Sequence, residues 1–213
     1  MMEDNWQPRL AAIAAAHAGT DGAHDATHLQ RVWRTAHELL AQHPEADKLV
    51  VQAACFLHDL VNLPKDHPQR AQASQLAAKA AVEELTRAGF PADKLAAVAN
   101  AITAHSFSAG IAPETIEAKI VQDADRLDAL GAVGLARLFY TAGKMDSALA
   151  HGSDPLAQAR ALDDKSYALD HIAAKLEKLP ASMQTEAGRK LGEERLHSIH
   201  LFRAQFAAEW GAN

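Results

Sequence analysis

The chain has 213 residues, of which 48% are hydrophobic and 23% charged, enough to bury a sizeable core and too ordinary a mixture for long disorder. Its formal net charge of -6 repels a phosphate backbone and excludes duplex nucleic acid as a favourable partner. One cysteine, Cys55, excludes an internal disulfide, and no stretch approaches a membrane span. With an acidic start and no signal-peptide run after it, the protein is expected in the cytoplasm, without a membrane partner.

Apolar positions recur at three- and four-residue spacing, and alternating β-branched runs are missing, so an all-α fold is expected. Trp6 to His17 reads as a first helix, closed by the turn-forming Gly19-Thr20-Asp21-Gly22. Asp25 is placed to cap a helix over about 27–41, which His43-Pro44 ends. A third helix covers about 46–60, and its environment makes Cys55 a small buried residue. Leu63-Pro64-Lys65-Asp66-His67-Pro68 then forms a loop leading into a helix over about 69–88.

Gly89 and Pro91 separate the next helix, about 91–105, and Pro113 begins the one carrying Asp123 and Asp125. Beyond Gly143 the sequence loosens around Gly152-Ser153-Asp154-Pro155, before helical stretches over about 163–178 and 182–210. The long last helix carries an apolar face that would serve either an internal core or a homodimer. No repeat or linker is evident, so one domain over 1–213 is expected.

His28, the adjacent His58-Asp59 and Asp125 are metal-capable and lie on separate helical stretches. Imidazole nitrogen with carboxylate oxygen suits divalent Mn, Fe, Co, Ni or Zn, and Mg less well. A structural zinc site would more often use thiolates, which one cysteine cannot supply. Neighbouring helical side chains diverge by about 100°, so both members of the doublet reach one ion only if it lies over the gap between them. On residue chemistry alone such a doublet is more often an ordinary hydrogen-bonded pair than a pair of metal ligands.

The contexts add to this. His28-Leu29-Gln30-Arg31-Val32, Phe56-Leu57-His58-Asp59-Leu60 and Asp123-Ala124-Asp125-Arg126-Leu127-Asp128-Ala129-Leu130-Gly131 resemble, in order, the motifs of the HD-domain superfamily of metal-dependent phosphohydrolases. Leu162-Asp163-Asp164-Lys165-Ser166-Tyr167-Ala168-Leu169-Asp170-His171 is similar to the small bacterial YedJ/YpgQ-like branch. The resemblance implies an HD-domain helical bundle with its core over about 24–133 and a C-terminal helical extension over about 154–210. It also implies His28, His58, Asp59 and Asp125 as metal ligands. Asp123 competes for the fourth place, but Ala-Asp-Arg-Leu matches the family's last motif at Asp125. His24 and Asp25 are either a solvated helix start or support for His28, and Arg31 either a surface ion-pair partner or a phosphate contact.

The expected activity is hydrolysis of a small phosphorylated substrate, most specifically of a nucleoside triphosphate to pyrophosphate, by metal-activated water. Asp59, with His58, carries the catalytic role, either positioning the water, taking its proton or ligating only. Lys65 and Arg70 are the phosphate contacts expected from the loop after the doublet, and His105 stands at the pocket rim with Ser106. A solvated loop and a histidine complementing a helix dipole are the plain alternatives. Extra histidine ligands mark binuclear members of the superfamily, and only His105 has the context of one, so a single tightly held ion is expected, with a weaker second ion left open. Nucleoside monophosphatase or phosphodiesterase activity is the alternative chemistry, and a non-catalytic metal- or nucleotide-binding module the alternative class.

Overall fold

A computed structural model describes residues 5–17, 26–61, 63, 67–106 and 109–211. The turn at 19–22, His24, Asp25 and Lys65 lie outside the described residues. The chain divides into two compact units, Met1–Asp125 and Arg126–Asn213. Among the described residues the regular structure is nine α-helices with short 3-10 turns, and the only β pairing is one isolated bridge. The all-α expectation holds.

In the first unit, α1 (Trp6–His17), α2 (Ala26–Leu40) and α5 (Leu95–His105) pack against α3 (Lys48–Leu57), while α4 (Ala73–Ala88) packs on α5. The centre is α3, because Val50, Val51 and Ala53 through Leu57 are all buried. Each large apolar side chain removed from water there contributes about 1.5–3 kcal/mol. Cys55 is part of this core, and burial, with the Asp125 charge nearby, pushes its thiol pKa up. Trp6 meets Phe90 edge-on at 4.9 Å, joining α1 to the chain beyond α4.

The helix start at 46 and end at 60 expected for α3 are both corrected. Asp47 is the N-cap, its Oδ1 accepting from the backbone N–H of Leu49 and Val50 at 3.0 and 3.2 Å, which satisfies donors that a helix start leaves open. The helix ends at Leu57, and His58 is its C-cap. The doublet therefore sits on the turn leaving α3, ahead of the helix-breaking Pro64, and helical divergence does not fix its two side chains. Short 3-10 turns, Arg70–Gln72 and Ala92–Lys94, begin the segments expected to be helical from 69 and 91. The helix of the last motif, α6, is Ile116–Leu127.

In the second unit, α7 (Gly131–Lys144) packs on α9 (Glu186–Trp210), with Phe139 against Phe202 at 5.7 Å and Phe206 stacked on Trp210 at 5.2 Å. A Cβ at Gly134 would lie 2.2 Å from the carbonyl oxygen of Ala129. Close backbone approach to the preceding turn explains the glycine at position 134. Gly131 has φ +72°, which favours glycine at this helix start.

The helix expected over 163–178 is largely absent. Asp163 bends its own chain by accepting from the N–H of Ser166 at 3.1 Å, and Tyr167 forms a parallel bridge with Ala148. Only α8 (Asp170–Ala174) and a 3-10 turn, Leu176–Lys178, remain. Thr185 caps α9, so the final helix begins at Glu186 rather than at 182.

Candidate metal centre

His28 lies near the start of α2, the doublet at the end of α3, His105 as the last residue of α5, and Asp125 in the last turn of α6. All belong to the first unit. His28 Nε2 is 3.5 Å from Asp125 Oδ1 and 3.8 Å from Asp59 Oδ2. His58 Nε2 is 3.7 and 3.6 Å from the same two oxygens. Four groups from three elements thus converge as the sequence implied.

His105, expected at the pocket rim, is found within the cluster. Its Nε2 is 4.0 Å from Asp59 Oδ1, and its ring centroid is 4.7 Å from that of His58. Two overlapping sets of donors result, His28 with His58 and Asp125, and His58 with Asp59 and His105, each with its donor atoms within 4.8 Å of one another.

The second nitrogen of each ring fixes what the first can do. A carbonyl oxygen only accepts, so His58 Nδ1 donates to Cys55 O at 3.0 Å and His105 Nδ1 to Ile102 O at 2.5 Å. Burial, the largest influence, lowers the pKa of His58 and keeps its ring neutral, against the opposing pull of the Asp59 charge. Its buried Nε2 has no hydrogen-bond partner. A neutral imidazole in this tautomer turns a lone pair toward two carboxylate oxygens, which is repulsive unless a cation lies among them.

Burial pushes the carboxyls of Asp59 and Asp125 up, but the neighbouring imidazoles, and for Asp125 first a hydrogen bond from His28, pull the other way and leave both carboxyls below their ordinary value. Metal–ligand bonds of roughly 2.0–2.2 Å set neighbouring donors about 3.0–3.4 Å apart. The four imidazole–carboxylate separations of 3.5–3.8 Å that link His28 and His58 to Asp59 and Asp125 lie close to that requirement. The residues present fit a divalent cation of the borderline class. The imidazoles form the buried floor, while Asp59 and Asp125 retain 22% and 28% side-chain exposure, leaving the carboxylate side open to a ligand.

The other expected residues lie elsewhere. Asp123 is fully buried on α6 and outside both donor sets. Arg70 donates to the Leu63 carbonyl, and His67 Nδ1 accepts from the N–H of Gln69 at 3.1 Å, so both act within the loop. Arg31 donates to Thr27 Oγ1 one turn earlier on its own helix. Sequence reasoning missed Gln122, a buried amide one turn before Asp125 that donates to Ala104 O at 2.7 Å. Its signal was a polar residue within the apolar run of α6.

A family model described as HD domain matches residues 25–130. The protein YpgQ of Bacillus subtilis (strain 168), which is described as uncharacterized, is 34% identical over 190 residues, covering 87% of this chain and 82% of YpgQ. The chain belongs to the HD-domain family. Among solved structures, YpgQ in complex with ADP matches with a TM-score of 0.70 and 29% identity over 95% of this chain and 96% of that one. An HD-superfamily hydrolase from Bacillus thuringiensis matches with a TM-score of 0.73 and 27% identity over 97% of both chains. These HD-domain relatives put a hydrolase and a nucleotide-bound protein among its likenesses. No helix among the described residues is long and apolar enough to cross a membrane.

Proposed function

We propose that this HD-domain protein is a metal-dependent phosphohydrolase acting on nucleotides, most specifically splitting nucleoside triphosphates to release pyrophosphate. The observation that carries the reading is the convergence of the His28 and His58 Nε2 atoms with Asp59 and Asp125 oxygens at 3.5–3.8 Å. The ADP complex of YpgQ supports a nucleotide as the ligand.

In this reading His28, His58, Asp59 and Asp125 hold the cation, with His105 beside Asp59 available to a second. A divalent ion so held makes water a better nucleophile near neutral pH and polarises a phosphoryl oxygen. The neutral, buried His58 supplies a lone pair in a fixed direction, because its other nitrogen is tied to Cys55 O. Asp59, partly exposed, is the carboxylate placed to orient the attacking water or accept its proton. Lys65 and Arg70 follow the doublet in the chain and take the substrate's phosphates, with Arg70 also bracing Leu63. The cytoplasm is the proposed compartment, and one HD domain with a C-terminal extension the proposed organisation.

The test is a nucleotide panel crossed with Mn, Co, Ni, Zn, Fe and Mg, with products read by phosphorus NMR. Pyrophosphate with a nucleoside monophosphate is expected from triphosphates. Orthophosphate release would favour a monophosphatase instead, and nucleotides left intact with every ion would end the hydrolase reading. Lys65→Ala is expected to raise KM several-fold with kcat retained, and an unchanged KM removes Lys65 from the phosphate role.

A further inference from the structure

The first unit holds a second concavity, of about 1040 Å³, whose lining contains none of the clustered histidines or carboxylates. Trp33, Arg34 and His37 of α2 line it together with Asp47, Lys48 and Lys94. At 100° per residue, positions 30, 33, 34 and 37 fall on the side of α2 away from His28. Lys48 is the first residue of α3, ten residues before His58, which at 1.5 Å per residue puts the two ends roughly 15 Å apart.

The cleft's charge runs against that of the molecule. Among the described residues three cations, Arg34, Lys48 and Lys94, face one lining carboxylate, in a protein of net charge -6. That carboxylate, Asp47, is already taken up by Lys94 and the N–H groups that start α3. Among the described residues Arg34 and Lys48 have no ion pair or hydrogen bond. Next to them the exposed His37 ring stands edge-on against the indole of Trp33 at 5.4 Å, the indole being mostly buried and showing 8% of its residue surface. Gln30 and Gln52 add amide donors and acceptors to the lining.

Each feature matches part of one ligand class. Two uncompensated cations match a dianion, and the guanidinium fork suits the oxygens of a phosphate. The indole and imidazole offer an apolar and π-bearing surface to a planar ring, and the amides can read the ring's polar edge. A volume of this size holds a small organic ligand rather than a bare ion.

We propose that this cleft is a second ligand site, metal-independent and separate from the metal cluster, for a small phosphorylated molecule with a planar ring, of the mononucleotide class. Arg34 and Lys48 hold the phosphate, and Trp33 and His37 receive the ring. The site stands apart from the hydrolase reading, because its occupancy is measured without metal and without turnover.

The experiment is calorimetric titration of the full chain in excess EDTA with adenosine monophosphate and, separately, inorganic pyrophosphate. Adenosine monophosphate is expected to bind with a Kd below about 1 mM, and more tightly than pyrophosphate. Replacing both Arg34 and Lys48 by Ala, each exposed and dispensable to the core, is expected to weaken it at least tenfold. Asp125→Asn is expected to leave it unchanged. No saturable binding up to about 10 mM, or equal binding by the double variant, overturns the site. Loss of binding in Asp125→Asn overturns it by placing the ligand at the metal cluster, and pyrophosphate binding as tightly as the monophosphate overturns the ring contact.

Discussion

Gln122 on α6 donates its side-chain amide to the backbone carbonyl of Ala104 on α5 at 2.7 Å. Ala104 is the residue before His105, and its carbonyl belongs to the last turn of α5, where helix carbonyls lack partners within the helix. The bond thus fastens the helix carrying Asp125 to the helix end carrying His105. Gln122→Leu removes the donor and leaves a buried carbonyl unsatisfied, at a cost of about 1–3 kcal/mol. The expected outcome is that loss in denaturant unfolding together with weaker metal retention, whereas unchanged metal affinity would confine Gln122 to a structural role.

Asp125 and Asp123 are two residues apart on α6, and only Asp125 enters the donor cluster. Asp125→Asn is therefore expected to lower metal affinity by about 100-fold or more, beyond the 10–100-fold typical of losing a supporting residue. Asp123→Asn should keep the metal and, as a change at a fully buried position, lower stability instead. Metal content by mass spectrometry after dialysis, read beside thermal melts, separates the two, and the reverse pattern would assign the fourth ligand to Asp123.

Much of the candidate site was legible because its metal-capable side chains sit in short motifs that resemble those of the HD-domain family. His28, His58, Asp59 and Asp125 could be named from their motifs, yet the bend of α3 at Leu57 was not visible. Apolar residues resume at Leu60 and Val61 after the doublet, at spacing that continues the helical pattern, and only the three-dimensional turn shows where helical hydrogen bonding stops. The sequence leaves His105 either at the rim or as an extra histidine ligand, since its approach to Asp59 depends on the packing of α5 against α3. The lost helix over 163–169 has a related cause. Helical periodicity was present, but Asp163 and Asp170 draw the chain into turns through contacts no local pattern encodes.

Asp47 anchors the start of the helix that ends in the doublet. It caps α3, pairs with Lys94, and its own N–H donates to Glu117 on α6 at 2.9 Å. Asp47→Ala is expected to cost about 0.5–2 kcal/mol at neutral pH. Burial raises the Asp47 pKa, but Lys94 and the N–H groups of Val50 and Leu49 outweigh it and hold the carboxyl below its ordinary value. A depressed carboxyl stabilises fully above its unfolded-state pKa, and that contribution disappears as pH falls through the folded-state value. The stability gap between the wild type and Asp47→Ala, measured by urea unfolding across pH, should therefore narrow on acidification, and a gap that widens contradicts the assignment.

The second unit depends on a buried ion pair. Arg160 reaches Asp170 with both terminal nitrogens, at 2.6 and 2.7 Å, and the N–H of Asp163 donates to the same carboxylate at 2.8 Å. The Asp170 side chain is fully buried, while Arg160 is half-buried with 18% exposure, which means that removing Arg160 strands a buried carboxylate. Asp170→Ala is expected to cost about 1–3 kcal/mol, from the lost charge-assisted bonds to Arg160 and the unsatisfied Asp163 N–H. Replacing both residues by leucine should recover a large part of that loss, because two apolar groups carry no desolvation cost. Thermal melts of the single and double variants decide the matter. If the double variant melts no higher than Asp170→Ala, the carboxylate matters chiefly through its bond to Asp163, as the staple of the 163–170 turn.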